Sequence, residues 1–458
     1  MTQTTTPAPI TEAGATEVLA AMIDDFVART PLSAAHWQEA LRCIPSGVTK
    51  PEHFFAPHPI YLDHCDGARL VDLDGNTYVD LTYVGTSLPL GHNNAAIRHA
   101  IAEQLQHGTG YPKASTHPTR LAQVICDRLP SVDQVLFTDS GSKAVYFALR
   151  LARAFTGREK VGKFVGAFHG THDSMWFGLG QVFNSEEPLG THEVKPGVLH
   201  TAADDVVLLP FDDIDECARI IEAHASELGS VIVEPVLGDG YLPPSPTFLA
   251  DLEKVCNAHG ILVVFDEMIT LSLGRGGAQG HFGVTPDLTT MGKPLGAGMP
   301  IAAVGGRADV MALASCLDGA PVVGGLSSTF AGHPLAAAAG LAQMEQLTDD
   351  AYARLWQLGE RCREGINALG AGLGVPLQAT GIAHFLQVHW NEQPVRGFED
   401  HNACDRDLLT QLDTYMFLRG YAVLRNHRIA LSLSLTDADV DDFLACLEDG
   451  VRLLAGVR

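Results

Sequence analysis

From residue 59 to 82 the chain reads PIYLDHCDGARLVDLDGNTYVDLT, short runs of alternating apolar and polar positions separated by DG and DGN turns. A period of two turns one face of a strand to a core and the other to water, so this stretch predicts a small antiparallel meander. Upstream, residues 17–45 carry helical spacing with a break at Pro31, and residues 1–16 are expected to be mobile. Between about 95 and 310 the rhythm changes. Continuous apolar runs (VDQVLFT, DVVLLPF, SVIVEP, ILVVFDE) alternate with stretches of helical period such as SKAVYFALRLARAFTG and FLADLEKVCNAHG. Strands that are apolar on both faces and separated by helices predict a mainly parallel sheet covered on each side, an α/β architecture.

In the helix expected after Ser140, the residues Ala144, Ala148, Ala152 and Phe155 share one face, and Gly157 supplies a stop. Beyond about 335 the pattern is helix, strands near 378–389, a helix over about 403–419, a strand at IALSLSL and a last helix at DADVDDFLACLEDGVRLL. This predicts a smaller α+β domain at the C-terminus that shares a sheet with the meander. The expected division is 1–90 (N-terminal helix and meander, part of the small domain), 91–335 (large domain) and 336–458 (C-terminal small domain).

Composition narrows the function. Thirty basic residues against 54 acidic ones give a formal charge of -24, a field that repels phosphate backbones and argues against nucleic acid as a partner. The first 25 residues have neither a basic n-region nor a continuous apolar h-region, and no apolar run approaches the ~18 residues of a bilayer span. The nine cysteines are scattered, odd in number and never in CxxC spacing. Free thiols in a reducing cytoplasm are expected, with no metal assigned.

Four segments carry candidate chemistry. ILVVFDE runs a hydrophobic strand into Asp266, putting a carboxylate at the strand edge where open α/β sheets bind ligands. DLTTMGK follows, with Lys293 between Gly292 and a Gly-rich turn, so its amine can approach a flat group closely. TDSGSKA sets Ser140, Gly141 and Ser142 at the start of a helix, where N–H groups and the helix dipole favour a phosphate. GAFHG offers Phe168 to stack on a ring and His169 to reach a carboxylate. Each alone has an ordinary explanation: a helix cap, a solvated lysine, a serine N-cap, a core aromatic. Together they are a phosphate grip, a stacking ring, an acid for a ring nitrogen and an amine for an aldehyde, the parts that hold pyridoxal 5′-phosphate.

With those parts in this order, the chain resembles the class III (ω-type) aminotransferases of fold type I from about residue 40 to 455. VDLDGNTYVDL, LGHN, LARAFTGR, GAFHG, VEPVLG, GGAQGHFGVTPDLTTMGKPLGAGMP, VGGRADVM, LSSTFAGHPLAAAAG and LSLSLTDADVD carry the resemblance. Within the class it is similar to the glutamate-1-semialdehyde aminomutases and the β-amino-acid aminotransferases. The resemblance implies a pyridoxal-phosphate enzyme in which Lys293 forms the Schiff base and moves a proton, and Asp266 pairs with the ring nitrogen. It implies Ser140, Gly141 and Ser142 at the phosphate, Phe168 on the ring, His169 behind Asp266, and Glu234 and Met268 beside the cofactor. It also implies a homodimer in which Thr329 reaches the phosphate of the neighbouring subunit.

Three motifs depart from the family pattern: SGTEA reads SGSKA, with Lys143 for a glutamate, DEV reads DEM, and GNP reads GHP with His333. Where the aminomutases carry a carboxylate-binding arginine, this chain has His53, whereas FFAPHP looks like the β-amino-acid enzymes, whose arginine falls at Lys50. A solvated surface lysine is an equal reading of Lys50. Tyr83, Arg425 and Arg428 complete the candidate substrate contacts. The expected reaction is amino transfer from a donor such as a β-amino acid or amine to a 2-oxo acid. An aminomutase or racemase is the first alternative, and a non-catalytic scaffold the second.

Overall fold

The computed structural model describes residues 12–179, 196–317, 319, 322–423 and 427–456. Residues 1–11 of the segment expected to be mobile lie outside that range, and from Glu12 the expectation is corrected. A helix runs Glu12–Arg29, fixed by burial of Ala15 and Leu19 in the main core. The break falls at Thr30, and a second helix starts with Pro31 in its first turn, where a missing N–H costs nothing.

The meander forms as β1 (Leu62–Asp66), β2 (Arg69–Asp72) and β3 (Thr77–Asp80), all antiparallel. The central sheet contains β4 (Gln134–Thr138), β5 (Lys160–Phe164), β6 (Val206–Leu209), β7 (Leu228–Val233), β8 (Leu262–Asp266), β9 (Leu288–Met291) and β10 (Ala302–Gly306). Their order is β4-β10-β9-β8-β7-β5-β6. The five strands from β9 to β6 are parallel, and β10 alone runs antiparallel to both its neighbours, β9 and β4. Strands β6 to β10 are buried at every position, as their unbroken apolar runs require.

At the C-terminus, β11 (Leu377–Ile382), β12 (Phe385–Trp390) and β14 (Arg428–Ala430) form a separate three-stranded sheet. Only β13 (Tyr421–Ala422) joins the meander, parallel to β3, so the expected shared sheet is reduced to one two-residue strand. The expected strand IALSLSL also shortens. After Ala430 the backbone leaves the ladder, and Leu433 N–H bonds to the Pro89 carbonyl. The helix after Ser140 spans Gly141–Thr156 and ends at Gly157 with φ 69°. Ala144, Ala148 and Ala152 are buried on its inner face; Phe155 is not, and lies exposed under the Arg307 guanidinium. All nine cysteines are free thiols. Among the described residues no helix is long and apolar enough to cross a membrane.

Candidate active site

The apolar strand β8 carries Asp266 to the C-terminal edge of the central sheet. In the register of β8 on β9, Asp266 sits opposite Thr290, whose hydroxyl donates to Asp266 Oδ1 at 3.0 Å. The Met268 N–H adds a bond to the same oxygen at 3.2 Å, and His169 Nδ1 lies 2.7 Å from Oδ2 with both side chains buried. A carboxylate only accepts, so the imidazole proton of this pair is on Nδ1. Desolvation lowers the His169 pKa, with Asp266 opposing, which leaves a neutral ring that orients the carboxylate.

A second buried carboxylate, Glu234, follows β7. It accepts the N–H groups of Phe168 (3.2 Å) and Gly238 (3.3 Å). Burial, then the nearby Asp266 charge, raises its pKa. In β5, the fully buried Lys163 donates to the Phe177 carbonyl at 2.7 Å, and desolvation pushes its pKa down to about 7.

Lys293 stands just past β9 at the start of a short 3-10 turn, Lys293–Gly296, with φ 38°, in the left-handed region that costs a non-glycine residue about 1–3 kcal/mol. The strained backbone is held from below. Gly340, in the helix Pro334–Gln346, approaches the Leu295 carbonyl so closely that an added Cβ would lie 2.1 Å from its oxygen. Met268 fills the space between two glycines: a Cβ at Gly292 would meet its sulfur at 2.6 Å and one at Gly141 at 2.8 Å. The lysine turn, the acidic strand end and the helix start expected to hold phosphate therefore converge on one side chain.

Lys293 keeps exposed surface and makes no hydrogen bond or ion pair with another described residue. The surrounding protein nonetheless lowers its pKa. Desolvation acts first, Glu234 and Asp266 oppose it, and the cations Arg428 and Lys50 reinforce it. At the helix Gly141–Thr156, the N-cap Ser140 is exposed and its hydroxyl does not cap the helix. Ser142 Oγ accepts from the Thr171 N–H at 3.2 Å. Lys143 bridges Asp139 (2.6 Å) and the Ser328 hydroxyl (3.2 Å). Phe168, in the loop after β5, is 51% exposed, an unusual state for a phenylalanine, with its only described aromatic neighbour, Trp176, edge-on at 6.4 Å.

The profile of the family Aminotransferase class-III matches residues 54–396. The chain belongs to the class III aminotransferases. It is 35% identical over 423 residues to glutamate-1-semialdehyde 2,1-aminomutase 2 of Exiguobacterium sibiricum, a match covering 91% of this chain and 95% of that protein. Among solved structures, the ω-transaminase of Sphaerobacter thermophilus superposes with a TM-score of 0.88 at 33% identity, covering 92% of this chain and 98% of that one. The β-phenylalanine aminotransferase of Variovorax paradoxus gives 0.86 at 33%, covering 95% and 97%.

Class III aminotransferases are pyridoxal-phosphate enzymes of fold type I, and the residues present here fit that cofactor. The unused Ser140 hydroxyl and the first N–H groups of a 16-residue helix suit a phosphate, the open Phe168 face suits a planar ring, and Lys293 offers an amine on whose charge Glu234 and Asp266 both act.

The substrate candidates fare unequally. Arg428 is half-buried and ion-paired with Asp239 beside Tyr241, and that carboxylate raises its pKa despite the opposing burial. Lys50 is exposed and close enough to Lys293 to act on its charge. Tyr83 is buried, its ring stacked on His92 at 5.7 Å, and offers no open surface to a substrate. Thr329 is exposed in the loop after Ser328, and Arg425 lies outside the described residues. Thr290, Thr171, Asp239 and Lys163 are absent from the sequence-derived set. Thr290 alone had a local signal, as the strand residue just before Met291 and the lysine turn.

Proposed function

We propose that this class III enzyme is an aminotransferase that moves an amino group from a β-amino acid or amine to a 2-oxo acid, working as a homodimer. One observation carries the reading: Lys293 stands among two buried carboxylates, Glu234 and Asp266, and two cations, Lys50 and Arg428, all near enough to act on its charge. The carboxylates belong with the cofactor and the cations with a substrate carboxylate. The cofactor, when bound, supplies an electron sink for a carbanion at the substrate carbon. Asp266, oriented by His169 and Thr290, holds a proton on the ring nitrogen, because a carboxylate in contact stabilises the protonated form. Lys293 Nζ, its pKa lowered, takes and returns the substrate proton as a general base. Ser140, Gly141 and Ser142 bind the phosphate, Phe168 covers one ring face, and Met268 packs beside it.

His53 favours transfer over rearrangement. Partial burial, then the Lys50 ammonium, lower its pKa, so it is neutral at pH 7 and makes a poor clamp for the second carboxylate of a glutamate-derived substrate. The competing reading, an aminomutase, draws on the name of the 35% identical relative.

Purified enzyme mixed with a donor alone separates them. Release of a ketone with loss of the visible cofactor band, reversed by pyruvate or 2-oxoglutarate, is expected. A rearranged or racemised amine with no need for a 2-oxo acid would select the isomerase. A donor panel of β-amino acids, α-amino acids of both hands and amines lacking a carboxylate then tests Lys50 and Arg428. Activity confined to the last group would remove both from the site.

A further inference from the structure

We propose that His389, His401 and Cys404 form a binding site for a zinc ion, independent of the reaction the enzyme performs. His389 projects from β12, His401 from the short helix Phe398–Asn402, and Cys404 lies three residues after His401. All three are buried, with exposures of 0%, 3% and 8%. His389 Nδ1 lies 3.4 Å from His401 Nδ1 and 3.7 Å from Cys404 Sγ, and one ligand atom from each residue falls within 4.8 Å of the others. Zinc bonds of about 2.0–2.1 Å to nitrogen and about 2.3 Å to sulfur, at tetrahedral angles, demand edges of roughly 3.4 Å for N···N and 3.6 Å for N···S. The two edges from His389 match both values.

The surrounding hydrogen bonds prepare the lone pairs. Thr380 has one hydroxyl proton and directs it to the Gly240 carbonyl at 2.5 Å, so towards His389 Nε2, 2.6 Å away, it can only accept. The His389 proton is therefore on Nε2, and Nδ1 presents its lone pair to His401 and Cys404. On the far side of His401, Nε2 faces Asp239 Oδ1 at 3.5 Å, without a closer partner among the described residues. A carboxylate behind the outer nitrogen is the arrangement that fixes the tautomer of a metal-binding histidine. The His389 Nδ1 lone pair thus faces His401 Nδ1 across 3.4 Å, and a cation between them takes the place of the N–H that otherwise bridges the rings. Binding displaces the Cys404 thiol proton to solvent and forms one Zn–S and two Zn–N bonds, leaving the fourth position to water.

Holoenzyme loaded with zinc chloride and desalted against a chelator of micromolar affinity is expected to keep one zinc per chain by elemental analysis. Cys404→Ser and His401→Asn should each weaken retention at least tenfold while keeping the bound cofactor chromophore as proof of folding, and Cys446→Ser should bind as the parent does. Cobalt in place of zinc should give tetrahedral d–d bands in the parent, and a thiolate charge-transfer band lost only in Cys404→Ser. Absence of retained zinc in the parent overturns the proposal, the two rings then being joined by an N–H···N hydrogen bond alone. So does undiminished retention in both variants, which would assign the metal to other thiols and imidazoles.

Discussion

Lys293 differs from a surface lysine by its company: two buried carboxylates, two cations and a left-handed backbone. Lys293→Ala is expected to abolish turnover, and borohydride treatment, followed by peptide mass analysis, should no longer attach the cofactor to the chain. Asp266→Asn preserves shape and removes charge, so kcat should fall about 10²–10⁴-fold while cofactor affinity changes far less. Lys163 gives a prediction of pH dependence. Its folded pKa of about 7 lies below the ordinary 10.5, so between those values the unfolded chain binds more protons and stability rises with pH. Below pH 7 both states are protonated, the burial penalty is fully present and the slope vanishes. Urea midpoints at pH 7 and 9 should show the parent gaining about 2 kcal/mol relative to Lys163→Met. Identical pH profiles would mean that this ammonium is not desolvated.

Elements were legible where their pattern was local. Alternation around DG turns marked β1 to β3, unbroken apolar runs marked β4 and β6 to β8, and Pro31 and Gly157 marked helix ends. Lys160–Phe164 was not, because KVGKF contains two lysines, one of them buried only by virtue of the fold. The alternation in IALSLSL predicts a longer strand than the Arg428–Ala430 that forms. That alternation is genuine, but its second half bonds to the 89–90 loop rather than to a sheet. Helix packing also depends on neighbours. Gly340 and Gly372 are both helical glycines, yet a Cβ at Gly340 meets the Leu295 carbonyl at 2.1 Å and one at Gly372 meets nothing within 4 Å. Gly340→Ala should therefore destabilise the chain by about 1–3 kcal/mol. It should also weaken cofactor binding by shifting the lysine turn. Gly372→Ala should stabilise by up to about 1 kcal/mol through helix propensity alone. Denaturant midpoints and a cofactor titration distinguish the two.

For the whole molecule, Thr329 tests whether each site needs two subunits. Thr329 is exposed in one chain, next to a serine that Lys143 of the same chain already engages. If Thr329 acts on the neighbour's phosphate, a heterodimer of Lys293→Ala and Thr329→Ala subunits regains one complete site. Its cofactor affinity at that site should then equal the parent's, although neither homodimer is competent; failure to recover would place Thr329 in its own subunit's site. By itself the sequence determined the fold class, the family and the line of Asp266, Lys293 and the Ser140–Ser142 turn. The fold class was legible because strand and helix periodicity are local properties of the chain, and the family because the motifs that carry the resemblance are short runs. Only the tertiary structure decided which other distant groups meet: Arg428 with Asp239 across 189 residues, Gly340 with the Leu295 carbonyl, and His389 with His401 and Cys404. Those contacts follow from sheet order and helix packing, and side-chain charge, burial and proton position are set by the neighbours that packing brings, not by the residues adjacent in the chain.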